Sequence, residues 1–353
     1  MSALGRRLLL ASALLSLILG VLAGLARLGY GVGPVAGMAG WHGAVMTGGF
    51  AGLLISLERA VALERPWGYG APLLVLAGTL GLLLGLESAP WAYAAAGPWA
   101  VAVQLKLGLR RLDAASWVMA LGTLAWALGM AVWAAQGDFV MAVLLWAAFP
   151  TLVIAGERLE LAFGVLPGGA AWWAFLAAVA AALIGPLLLP WWPLAGPRLA
   201  ALGWLGLSLW MLRFDTLGRA FKLGGLGRYM SIALWMGYSW LAVAAALLWA
   251  WAGGDGGLWD AALHALFLGF MFAMIFAHAP VIFPAVAGVK LEWHHGHYIH
   301  LYAMSLGLLA RVAAGALGWV GLKRGASMAT ALVLLAFLFN QALSAVKARR
   351  ASR

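Results

Sequence analysis

The sequence predicts an all-α, polytopic membrane bundle, and three observations carry that expectation. Of the 353 residues, 65% are hydrophobic and only 9% are charged, whereas a soluble domain carries about 25% charged residues. Apolar runs of about 20 residues recur from end to end, each long enough to cross roughly 30 Å of hydrocarbon at 1.5 Å per residue. The short alternating segments of a β-barrel do not occur. No stretch is left over for a sizeable soluble domain, so residues 1–353 read as a single transmembrane domain.

Twelve spans follow in order, near 7–29, 40–62, 70–87, 91–108, 115–135, 139–160, 170–189, 195–213, 230–252, 258–283, 297–320 and 325–346. The first begins "MSALGRRLLLASALLSLILG". Its apolar run is longer than a signal-peptide core and no A-x-A site ends it, so it reads as a membrane span. "RPWGYGAP" ends the second span, "LPGGA" precedes the seventh and "GGDGG" precedes the tenth; such Gly/Pro clusters break helices. "PWWP" around Trp191 and "WAWAGG" after Trp249 read as interfacial anchors.

Placing the N-terminus in the cytoplasm gives an orientation. The outer side then receives only Arg27, Arg198, Lys323 and Arg324, and Arg311 lies within a span. All the other Lys and Arg residues, Lys290 and Arg353 among them, fall on the inner side. That bias predicts both termini inside and an even number of spans. It also accounts for the net charge of +11, which in a soluble protein would suggest nucleic acid; no nucleic-acid partner is expected here. The expected location is a bacterial inner membrane. Cysteine is absent, which removes disulfides, thiolate haem ligation, iron–sulfur clusters and cysteine zinc sites. A metal would have to rest on His, Met or oxygen ligands.

The chain has seven histidines. His42 opens the second span in "GWHGAVMTGGF", and His264 lies about six residues into the tenth, "DAALHALFLGFMFAMIFAHAPVIFP". Both spans run inward, so the two imidazoles fall at similar depth near the outer surface. Such a pair could hold a haem iron from both sides or form part of a copper site. His278 follows His264 by fourteen residues, which on a regular α-helix returns it to nearly the same face about 21 Å deeper. The alternative is a packed stripe of hydrogen-bonded imidazoles.

Four histidines are gathered in "EWHHGHYIH", Glu292 to His300. His297 and His300 share a helix face at i,i+3, as do His294 and His297. With His278 they form a candidate inner metal or proton site. A solvated loop is the other reading, especially for His294 and His295. Arg311, in "LLARVAAG", carries a charge near the bilayer centre at a cost of at least about 2.5–3.5 kcal/mol, so it needs an interior partner. A haem propionate or another anion would serve, and so would a structural carboxylate. Glu157, Arg158 and Glu160 end the sixth span as an interfacial salt bridge or a propionate clamp. Gln104, Asn340 and Gln341 read as interhelical polar contacts.

These stretches resemble the NnrS family of haem- and copper-containing membrane proteins. "WHGAVMTGGFAGLL" is similar to that family's second span, and "HALFLGFMFAMIFAHAP" to its tenth. "AGERLELAF" and "LLARVAAG" resemble shorter family segments. The chain departs from the family at Gly43 and Ala44, in "APVIFPAVAGVK", and in the added "HHGHYIH", and these departures bear on metal content. A second similarity is to the catalytic subunit of haem–copper oxidases and nitric-oxide reductases, through "HGAVM" and, superficially, "HHGHY". No adjacent histidine pair lies inside a span, as their copper site would need.

The resemblance implies a haem protein, b-type, with copper as a candidate second metal, tied to nitric oxide or denitrification. The expected iron ligands are His42 and His264, with Arg311 as a propionate partner and His278, His297 and His300 as second-site ligands. An electron-donor protein or quinol would supply electrons, and nitric oxide or another diatomic would be the ligand. Two alternatives remain open: a compact haem–copper-type reductase of NO or oxygen, and a transporter of twelve spans without a cofactor.

Overall fold

The computed structural model describes residues 1–31, 33–137, 139–161, 168–251, 253–254, 256–288, 291 and 293–351. Lys290, Glu292 and Arg353 lie outside the described residues. The structure is all-α, 88% helical, and no strand occurs among the described residues. The chain is a multi-pass membrane protein by its helices. In hydrocarbon every main-chain polar group must be satisfied within the segment, and a helix does this.

Two compact units divide the chain at Glu157 and Arg158. Unit 1 contains α1 (Ala3–Arg27), α2 (Gly37–Leu63), α3 (Pro66–Leu83), α4 (Ala89–Arg111) and α5 (Ala114–Gln136). It also holds α6 (Phe139–Leu161) as far as Glu157. Unit 2 contains α7 (Ala170–Leu188), α8 (Ala195–Phe214), the short α9 (Leu217–Lys222) and α10 (Gly225–Ala250). It is completed by α11 (Gly256–Val286), α12 (His297–Ala316) and α13 (Val320–Ala351).

Ten of these helices are long and apolar enough to cross a membrane: all but α4, α8 and α9. The helices α4 and α8 lie over the sequence spans 91–108 and 195–213. They are 23 and 20 residues long, but Gln104 and Lys106 in the first and Arg198 in the second, together with Gly, Pro and Trp, lower their hydropathy. The former packs on α3 and α5, the latter on α7 and α10.

Small residues set the helix contacts inside each unit. In unit 1 the ring of Tyr93 on α4 is slotted between Gly48 and Gly78, where a Cβ on either would lie 2.7 Å from the ring. The Tyr93 hydroxyl hydrogen-bonds Thr79 Oγ1 at 2.7 Å, so the buried phenol is satisfied. In unit 2, Gly185 and Gly203 let the main chains of α7 and α8 meet directly, at Ala200 and Ala182. Between membrane helices such close approach replaces the hydrophobic effect as the packing force.

Two helices are irregular in the same way. After His42, α2 widens into a π-helical stretch over Val45–Gly52. After His264, α11 does the same over Ala265–Met271. π-segments are rare and are found mostly at functional sites. The second one also changes an expectation. It lies between His264 and His278, where a wider turn departs from the regular α-helical spacing on which that expectation was based.

Candidate functional site

His42 sits in unit 1 where α2 begins, half-buried against α1. Its Nδ1 lies 2.7 Å from the main-chain oxygen of Gly20. A carbonyl only accepts, so Nδ1 carries the ring proton and the lone pair of the neutral ring is on Nε2. Gly24, one turn further along α1, makes the room: a Cβ there would lie 2.8 Å from Cε1 and 2.9 Å from Nδ1. A ring fixed by its other nitrogen on a main-chain carbonyl is the usual arrangement of a metal-ligating histidine.

His264 repeats the first part of this arrangement in unit 2. Its Nδ1 donates to the main-chain oxygen of Asp260, one turn earlier, at 2.7 Å. Again the lone pair falls on Nε2, and here it accepts from Arg311 Nη2 at 3.0 Å. The same Nη2 donates to the Asp260 carboxylate, 3.1 and 3.2 Å from its two oxygens. Its two hydrogens therefore serve two acceptors. Arg311 Nη1 donates to Ser327 Oγ on α13. Lys323 Nζ adds a third interaction with Asp260, at 2.9 Å.

Arg311 thus has the interior partner its position demands, and that partner is a carboxylate of the chain. The structural alternative named from the sequence is the arrangement found. Asp260 was not singled out from the sequence, although "DAALHALF" places it four residues before His264 and on the same helix face. Lys323 and Ser327 come from the following helix, and no sequence signal links them to it.

The inner histidine group lies where α12 begins in unit 2. His297 is fully buried and His300 nearly so, whereas His294 is half-buried and His295 is exposed. The rings of His297 and His300 lie edge to face with centroids 5.5 Å apart, and those of His294 and His297 are 4.6 Å apart. His297 Nδ1 donates to His294 O at 2.9 Å. That puts the lone pair on Nε2, which is buried and faces the side chain of Gln341 on α13 without a well-formed hydrogen bond. His300 Nε2 lies 3.5 Å from the hydroxyl of Tyr229, which also approaches Phe276 O at 3.2 Å. His300 packs between Phe276 and Phe337. Tyr229 and Gln341 were not read from the sequence as neighbours of this group, because only the fold brings α10 and α13 to it.

His278 donates Nδ1 to Met274 O at 2.8 Å on its own helix. Among the described residues, no three His, Asp or Glu side chains are placed to hold one metal ion. A haem iron needs only one or two imidazoles from the protein, so single imidazoles with lone pairs on Nε2 remain suited to it.

The sixth-span charges are structural. Arg158 forms a two-pronged pair with Asp215, Nε to Oδ2 at 2.8 Å and Nη2 to Oδ1 at 2.7 Å. Tyr238 donates to the same carboxylate at 2.5 Å. Asp215 is almost completely buried, and paired ions with all lone pairs used are the form in which buried charge is tolerated. Glu157 pairs with Arg59 in unit 1 at 2.6 Å.

No curated protein matches the chain, and no solved structure matches it. A family model does match, over residues 6–346, which is nearly the whole length. The chain belongs to the family described as a domain of unknown function, DUF8744.

Proposed function

We propose that this is a haem-binding membrane protein in which His42 and His264 are iron ligands. One observation carries the reading. Each imidazole stands at the start of a π-helical stretch in a membrane helix, with Nδ1 tied to a main-chain carbonyl at 2.7 Å and its lone pair on Nε2. This is how a protein presents a ligand nitrogen in a fixed direction and a fixed tautomer. Bound haem would supply an iron able to take nitric oxide or another diatomic, or to pass electrons.

The protein's own contribution is orientation and charge. Gly24 and the Gly20 carbonyl hold His42. Arg311 would leave His264 Nε2 when iron takes it, while staying held by Asp260 and Ser327. Its guanidinium would then face an anionic edge such as a propionate. The similarity to NnrS proteins supports a role with nitric oxide in a bacterial inner membrane, with electrons from a donor protein or a quinol. A second metal, copper, is proposed at the inner group, supported by the buried rings of His297 and His300, 5.5 Å apart.

The test is an optical spectrum of detergent-purified protein from haem-replete cells, reduced with dithionite, before and after nitric oxide. Soret and α bands with a Soret shift on nitric oxide are expected. A colourless, iron-free protein would overturn the proposal and leave the transporter reading.

A further inference from the structure

The ion cluster on α11, α12 and α13 contains more positive than negative charge. Among the described residues Asp260 is the one carboxylate in it, and it is shared by Arg311 and Lys323, both within 3.2 Å. His264 adds no negative charge: its Nε2 faces Arg311, and its Nδ1 faces a carbonyl and, at 3.3 Å, Asp260 Oδ1. Among those residues the cluster therefore holds an uncompensated positive charge. In a membrane-spanning segment such a charge is costly, and it attracts an anion.

The hydrogen bonding shows the same deficit. Asp260 takes only Nη2 of Arg311, with both oxygens. A guanidinium offers a planar carboxylate a side-on fork made of Nε–H and Nη2–H. The Nε of Arg311 is buried without an acceptor, so half of that fork is unused. The residue itself is 5% exposed, and a donor left unpaired at that depth is costly. The side chains of Asp260 and Lys323 beside it are 28% and 22% exposed.

We propose that this cluster is a binding site for a small, planar, monovalent anion of the carboxylate type. Lys323 stands at its mouth, the Arg311 fork forms its floor, and Asp260 is a tethered carboxylate that competes for the same cations. The charge count matches a monovalent guest, and the fork matches a planar one. The site rests on the ion cluster alone and does not depend on haem.

The test uses haem-free protein in detergent, titrated calorimetrically with sodium formate against sodium chloride at equal ionic strength. The wild type should bind formate saturably and above the chloride background. Asp260→Asn removes the internal competitor and should tighten formate binding at least tenfold. Lys323→Gln should weaken it at least tenfold. A purely structural ion cluster would instead give variants that lose stability and show no formate binding beyond chloride, which would overturn the proposal. An Asp260→Asn protein that folds but binds no more tightly would overturn it as well. Should that variant fail to fold, Lys323→Gln decides: unchanged formate binding, or none in the wild type, counts against the site.

Discussion

His42 and His264 share a plan and differ in their surroundings. Each precedes a π-helical stretch and each gives its Nδ1 proton to a main-chain oxygen. Around His42 the supports are neutral: a carbonyl of α1 and the space over Gly24. Around His264 they are ionic, with Arg311 on Nε2 and Asp260, Lys323 and Ser327 behind it. The tautomer is the same, so the backbone sets which nitrogen is offered. The surroundings then set how tightly that nitrogen is already engaged. His264 should accept a metal on Nε2 only by displacing a guanidinium.

The largest effect expected from that contrast is on stability. Asp260→Ala leaves Arg311 and Lys323 without their carboxylate. Breaking a buried pair costs about 3–5 kcal/mol, and with the Asp260 side chain 28% exposed roughly 2–3 kcal/mol is expected, read as a lower thermal midpoint in detergent. No substitution of a neutral support of His42 should reach that size. A midpoint unchanged by Asp260→Ala would remove the ionic half of the comparison.

Next comes Gly24→Ala. Its Cβ would fall within 2.8 Å of the His42 ring, so the ring must turn and its bond to Gly20 weaken. A loss of about 1 kcal/mol is expected from the hydrogen bond, together with reduced haem retention if His42 is a ligand. Haem content equal to wild type would mean that His42 orientation does not matter.

A smaller effect, of opposite sign, belongs to Arg311→Lys. A lysine keeps the charge beside Asp260 but lacks the planar fork that also reaches Ser327 and His264. Nε2 of His264 should become easier to engage, and imidazole-seeking probes such as Ni²⁺ should bind there about tenfold more tightly than in the wild type, a gain that an added His264→Ala removes. Binding equal to the wild type would show that Arg311 does not restrict that nitrogen. The smallest effect is expected at His295, which is exposed: His295→Ala should leave thermal stability within about 0.5 kcal/mol, whereas His297→Ala, at a fully buried ring, should not.

Much of this was legible in the residues. Apolar length identified the membrane helices, because a span needs little beyond about 20 apolar residues. The buried Arg311 announced that it needed a partner, but Asp260, one turn before His264, was not singled out as that partner. The π-helical stretches were not legible, since no residue type signals a wider turn, and one of them lies between His264 and His278. Asp215, the partner of Arg158, was also missed. It lies 57 residues away in sequence, and only the packing of the intervening helices brings the two together. Gln341 read as an ordinary polar contact because its neighbour His297 comes from another helix.

The measurement that tests the central claim most directly is the haem-to-protein ratio of purified wild type, His42→Ala and His264→Ala, each checked for retained helicity. The account predicts haem in the wild type, a clear loss in His42→Ala, and a loss or a changed Soret band in His264→Ala. Full haem content with an unaltered spectrum in both folded variants, or no haem in the wild type, would contradict it.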